Sequence, residues 1–280
     1  MSDLRPSDDY LGPDEFMHLM VDLGGTCWWC QVRPATTGEH KFKRTDLARL
    51  MGDDSLVYGT DGGGFREIRG RSGITRDRHG VIKFPKSLCE TCNNKRSKPF
   101  DQAYEVFSDY TTKTRLRILP GVDFTEVFGS SWEEPTYNLA RYYGKHFGCR
   151  MSRTGLPIPP SLQDFLNGSN DMSDAHMALV STDSVHNEYG AGLYISPDCI
   201  STDPAKTHFR RYVLATYVGA IGVRYEWNAE GIPDTDRSQF FHFSGPVLNY
   251  FKTDADVAEG VTRQPGWFAR FSQWINQPRQ

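Results

Sequence analysis

Leu88-Cys89-Glu90-Thr91-Cys92-Asn93-Asn94-Lys95-Arg96-Ser97 is the stretch on which the reading of this chain turns. Two cysteines separated by two residues can grip one ion through a tight knuckle turn. The chain carries a second such pair, Cys27-Trp28-Trp29-Cys30, with 58 residues between the two pairs. Four thiolates in two C-x2-C pairs form a closed tetrahedral set, which points to a structural zinc held by Cys27, Cys30, Cys89 and Cys92. With no coordination position left open, that ion staples the chain and performs no reaction. Cys149 and Cys199 stand alone and read as buried free thiols. A disulfide framework therefore describes the six cysteines poorly.

Working outward, 280 residues allow one large or two modest domains. Apolar spacing predicts a helix over Pro13 to Leu23, closed by Gly24-Gly25, and a second over Thr45 to Met51 with Thr45 as cap. Residues 53 to 84 are rich in Gly and Arg with isolated β signals (LVYG, FREIRG, GVIKF), which suits hairpins on long connections. From Pro99, the residues Phe100, Ala103, Tyr104, Phe107 and Tyr110 recur on one helical face, an ordinary core stripe. A further helix is expected near residues 137 to 147. Residues 176 to 225 read as strands, SQFFHF continues the pattern, and WFARFSQWI reads as a docking helix that closes the chain. The expected fold class is α+β, with an N-terminal helical segment (1–24), a zinc-stapled domain (25–118) and a C-terminal α+β domain (119–280).

Charge is unevenly spread. The chain has 32 Lys and Arg against 35 Asp and Glu, a net charge of −3. Between Gly64 and Phe100 there are ten basic residues (Arg66, Arg69, Arg71, Arg76, Arg78, Lys83, Lys86, Lys95, Arg96, Lys98) and three acidic ones, so that segment is +7 and the rest is −10. Such concentration is the electrostatic footprint that phosphate contacts require, and the expected partner is DNA. No apolar run approaches the roughly 18 residues that would cross a bilayer. The acidic N-terminus lacks an apolar signal core, so a cytoplasmic location is expected. GTDGGG lacks the G-K-[ST] of a phosphate-binding loop and reads as a connection. His146, His176, His186, His208 and His242 are scattered without ligand spacing, and read as core or surface residues. A homodimer is left open.

Within the insert between the knuckles lies Gly38-Glu39-His40, and Asn93 directly follows Cys92. An acidic residue followed at once by His, set between C-x2-C and L-C-x2-C-N with basic residues close behind, resembles the HNH endonucleases. More narrowly it resembles the branch with a four-cysteine treble-clef zinc and a ββα-metal site, to which McrA-like enzymes and phage resolvases belong. The resemblance covers roughly residues 25 to 100. It implies metal-dependent hydrolysis of phosphodiester bonds, with His40 as general base and Glu39 and Asn93 as oxygen ligands of Mg²⁺ or Mn²⁺. Asn94 is a rival to Asn93. Arg66, Arg69, Arg71, Lys95 and Arg96 are the expected nucleic-acid contacts. The family's central Asn is absent: no Asn lies between His40 and Asn93, His79 is the only His there, and Lys83 or Phe84 are candidates for the equivalent place. The reading of another class is a zinc-stabilised nucleic-acid-binding protein without catalysis, and a nuclease for RNA or branched DNA is a third.

Overall fold

The computed structural model describes residues 13–51, 56–59, 65–68, 82–114, 121–181, 193–195, 198–218, 221–232, 240 and 245–250. The expected closing helix (267–275), Arg69 and Arg71 lie outside the described residues, and so does the side chain of Arg66.

Helices and antiparallel sheets make an α+β protein. Helix α1 (Pro13–Phe16) passes into a single 3-10 turn, Met17–Leu19, and stops at Met20, whose backbone is extended. The expected helix to Leu23 is cut short because the following residue leaves the helix ladder: the Val21 amide donates to the Gly155 carbonyl at 2.7 Å. Helix α2 (Arg44–Met51) forms as expected, but Thr45 is not its cap. Its hydroxyl instead donates to the Glu105 carboxylate of helix α3 (Lys98–Lys113). Asp46, nearly fully buried, accepts from Tyr104 and Ser108 of α3, which satisfies the carboxylate that α2 presses inward. Strands β1 (Leu56–Gly59) and β2 (Phe65–Ile68) pair as an antiparallel hairpin.

In α3, Phe100, Ala103, Tyr104 and Phe107 are buried on the predicted face. Strand β3 (Gly121–Asp123) leads into α4 (Phe124–Phe128), whose first turn is capped by the Asp123 carboxylate accepting from the Thr125 amide. Helix α5 (Glu133–Thr154) is longer than its sequence pattern suggests and is buried continuously from Leu139 to Met151. A helix covered all round has neighbours on every side. Tyr142 stacks on Tyr104 of α3 at 4.0 Å, and Phe147 stacks on Tyr225 of the main sheet at 4.7 Å.

Helix α6 (Pro160–Leu166) follows, and then the sheet: β4 (Ala175–Ser181), β5 (Leu193–Ile195), β6 (Cys199–Thr202), β7 (Phe209–Val218) and β8 (Ile221–Asn228). All pairs are antiparallel in the order β4-β8-β7-β5, with β6 also on β7. Strand β9 (Val247–Asn249) pairs with β3. The main apolar core runs from Phe16 and the cysteine knuckles through α3 and α5 to the sheet, so residues on both sides of position 118 share it, and Val180, Ala215 and Tyr217 form a separate small cluster. Cys149 is fully buried, whereas Cys199 is only partly so. Among the described residues no helix is long and apolar enough to cross a membrane.

Candidate metal and catalytic site

Each cysteine knuckle is shaped by its own backbone. The Gln31 amide donates to the Cys27 carbonyl at 2.8 Å, and Gln31 takes a left-handed φ of 53° to close the turn. In the second knuckle the Asn93 amide donates to the Cys89 carbonyl and the Cys92 amide points to the Cys89 sulfur. The result is that the Sγ atoms of Cys27, Cys30, Cys89 and Cys92 all lie within 4.8 Å of one another, a set that could hold a metal ion such as zinc. Burial raises the Cys27 and Cys92 thiols. It also works against Cys30, but hydrogen bonds from the Val32 and Arg33 amides and from Cys27 and Cys89 together outweigh it and lower that thiol to about 6. Raised thiols disfavour bare thiolates here, so a bound cation would be what keeps the four sulfurs ionised, and the all-sulfur donor set suits zinc.

The two knuckles bring a short antiparallel pairing with them. Thr37 bridges Leu88 and His40 bridges Lys83. Between them the Phe84 amide donates to the Glu39 carbonyl at 2.9 Å, and just beyond the second bridge the Lys41 amide donates to the Ile82 carbonyl at 2.7 Å. Gly38 permits this approach, since a Cβ there would lie 2.3 Å from the Phe84 carbonyl oxygen. Lys83 is thus the cross-strand partner of His40, and backbone pairing holds that residue where the sequence offers no central Asn.

After Cys92 the chain does not enter an α-helix at once. Residues Thr91–Arg96 form one π-helical turn, with the Ser97 amide reaching back to the Cys92 carbonyl. This wider turn sets the phase of Asn93 and Asn94. Asn93 turns its side-chain oxygen into the interior, where it has no hydrogen-bond partner among the described residues. Asn94 is exposed. Both line, with Glu39, His40, Lys43, Lys83 and Asp101, one cavity of about 400 Å³. A buried amide oxygen without a donor is a costly arrangement unless a ligand completes it. Together with the Glu39 carboxylate it fits a hard divalent cation, which takes few protein oxygens and keeps several waters.

Sequence reasoning missed four members of this site: Lys43, Asp101, Lys145 and His146. Lys145 of α5 is fully buried and donates to Glu39 Oε2 at 2.8 Å and Asp101 Oδ1 at 3.3 Å. Burial alone would favour its neutral form, but the two carboxylates outweigh it and raise its pKa. Its neighbour His146 places Nε2 3.9 Å from Glu39 Oε1. Burial and then Lys145 push that imidazole well below its usual range, so it is neutral and the contact is not an ion pair. Asp101 also pairs with Lys43 and accepts from Ser97. The only signal in the sequence was a polar Lys-His pair inside an otherwise aromatic helical stretch.

His40 is half-buried, and its pKa is lowered by burial first and then by Lys83, with Glu39 opposing. Of the expected nucleic-acid contacts, Lys95 is exposed. Arg96 commits its guanidinium to the knuckles: it lies 4.7 Å over the Trp29 ring, donates to Asn167 Oδ1 and reaches the Cys92 sulfur. Compared with family models, with curated proteins and with solved structures, the chain gives no match in any of the three.

Proposed function

We propose that the chain is a metal-dependent endonuclease that hydrolyses phosphodiester bonds in DNA, with a zinc-stapled ββα-metal centre of the HNH kind. The observation that carries this reading is convergence. Glu39 and His40, on one side of the short bridged pairing, and Asn93 on the π turn, more than 50 residues apart in sequence, line one cavity, and the four sulfurs cluster on the knuckles that flank them in sequence.

His40 is the general base. A neutral imidazole can take a proton from water near neutrality, and burial together with Lys83 keeps this one neutral. Glu39 and Asn93 would hold a Mg²⁺ or Mn²⁺ ion, which when bound supplies Lewis acidity and stabilises the leaving oxygen. Lys43 and Lys83 at the cavity edge offer positive charge to the scissile phosphate. Exposed Lys86, Lys95 and Lys98 extend that charge outward, and Arg66, Arg69 and Arg71 would add to it. Zinc bound by the cysteines would fix the Glu39–His40 segment against the turn that bears Asn93.

One observation favours the non-catalytic reading, in which the chain only binds nucleic acid: Glu39 is already engaged by a buried ammonium. The two readings separate on supercoiled plasmid. Zinc-loaded protein with Mg²⁺ or Mn²⁺ is expected to give nicked or linear product, and His40→Ala to abolish it with zinc content unchanged. DNA retardation without cleavage, across divalent ions and DNA forms, would select the binding reading.

A further inference from the structure

The buried ammonium of Lys145 lies where a cation would serve the same carboxylates. It bonds Glu39 and Asp101 at once, with none of its side chain exposed, and sits 5.7 Å from the centroid of the Tyr142 ring. Two carboxylates and the two ammoniums of Lys43 and Lys145 leave this cluster formally neutral. A neutral cluster attracts a divalent ion weakly, and an ammonium beside the ion repels it. Lys145 also has a second seat, because Asp101 already accepts it and could retain it if Glu39 were released.

From this geometry we propose that Lys145 is an internal competitor of the divalent cation: its ammonium and the metal contend for Glu39, and Asp101 receives the ammonium when the metal prevails. The inference rests on the reading of Glu39 as a cation ligand. It gives α5 a direct part in the site, since the affinity for metal is set by a residue 106 positions beyond its ligand-bearing Glu. It also assigns opposite effects to two partners in one ion-pair network. Loss of Lys145 frees Glu39 and tightens metal binding, whereas loss of the Asp101 charge confines Lys145 to Glu39 and weakens it. A network that merely supports the fold would not show opposed signs.

The test is a Mn²⁺ titration of the zinc-loaded full chain, read by loss of the six-line signal of free Mn²⁺ in electron paramagnetic resonance. Lys145→Met is expected to bind Mn²⁺ at least about tenfold tighter than the wild type, the least that removing one adjacent positive charge should give. Asp101→Asn is expected to bind more weakly. Should Lys145→Met fail to fold, the charge-balanced pair decides: Asp101→Asn/Lys145→Met must bind Mn²⁺ more tightly than Asp101→Asn alone. Equal or weaker binding on removing Lys145 overturns the proposal. Plasmid cleavage run alongside keeps the two claims apart. Wild-type cleavage with no tightening in the variants sinks the competitor and leaves the nuclease standing, and tightening without any wild-type cleavage does the reverse.

Discussion

A histidine can accept a proton only while it is neutral, and the surroundings of His40 are arranged to keep it so. Burial and Lys83 lower its pKa below the ordinary 6.5, against the opposing pull of Glu39. For a base, activity rises as pH climbs through its pKa. A lowered pKa therefore moves the acid limb of the cleavage profile below pH 6.5, and a rate profile from pH 5 to 8 should show the rate already level at neutrality. An acid limb centred above 6.5 would mean that another group is titrating. Asn93 belongs to the same scale. Its buried oxygen has no donor among the described residues, so Asn93→Ala should leave folding nearly intact while raising the Mn²⁺ concentration for half-maximal cleavage. The rise should be at least the roughly tenfold that loss of a mere outer-shell partner costs a metal site.

At the scale of elements, the packing of α5 on the first knuckle depends on a glycine. A Cβ at Gly148 would fall 2.2 Å from the fully buried Trp28 ring. In an exposed helix interior Gly→Ala adds about 1 kcal/mol of stability. Here the indole would have to move, and overpacking of this kind costs about 1–3 kcal/mol. Gly148→Ala should therefore lower Tm in a thermal melt, and an unchanged or raised Tm would show that the knuckle is not seated on the helix. The same elements show what the sequence could disclose. The cysteine pairs, the stripe on α3 and the Glu39-His40 dipeptide were legible because each is a local spacing that one chemistry demands. The phase of Asn93 was not, because a π turn departs from the 3.6-residue period on which phase is counted. Neither were the places of Lys145 and His146: the sequence leaves His146 as a core or surface residue, and only the packing of α3 and the sheet on both sides of α5 buries the pair. The early end of α1 is likewise tertiary, fixed by the contact of Val21 with Gly155.

At the scale of the whole molecule, core and site both cross the boundary that composition suggests near residue 118. Tyr104 of α3 stacks on Tyr142 of α5, Gln163 and Asn167 hold the Trp28-Trp29 knuckle, and Lys145 reaches Glu39. A fragment ending at residue 118 would expose this surface and leave Glu39 without its buried counter-charge. It should lack a cooperative unfolding transition even when loaded with zinc, and a sharp transition in that fragment would establish an independent N-terminal unit. Zinc itself should be required by the full chain. Structural zinc contributes about 10–16 kcal/mol in small zinc modules, so chelation should unfold at least the segments that carry Glu39 and Asn93, as followed by tryptophan fluorescence from Trp28 and Trp29. The most direct measurement is the position of Mn²⁺ in crystals of the zinc-loaded protein, located by anomalous scattering at the manganese edge. The expected result is a peak in the cavity between the Glu39 carboxylate and the Asn93 side-chain oxygen, beside His40 and apart from a zinc among the four sulfurs. Manganese found elsewhere, with that cavity holding none at saturating concentration, would contradict it.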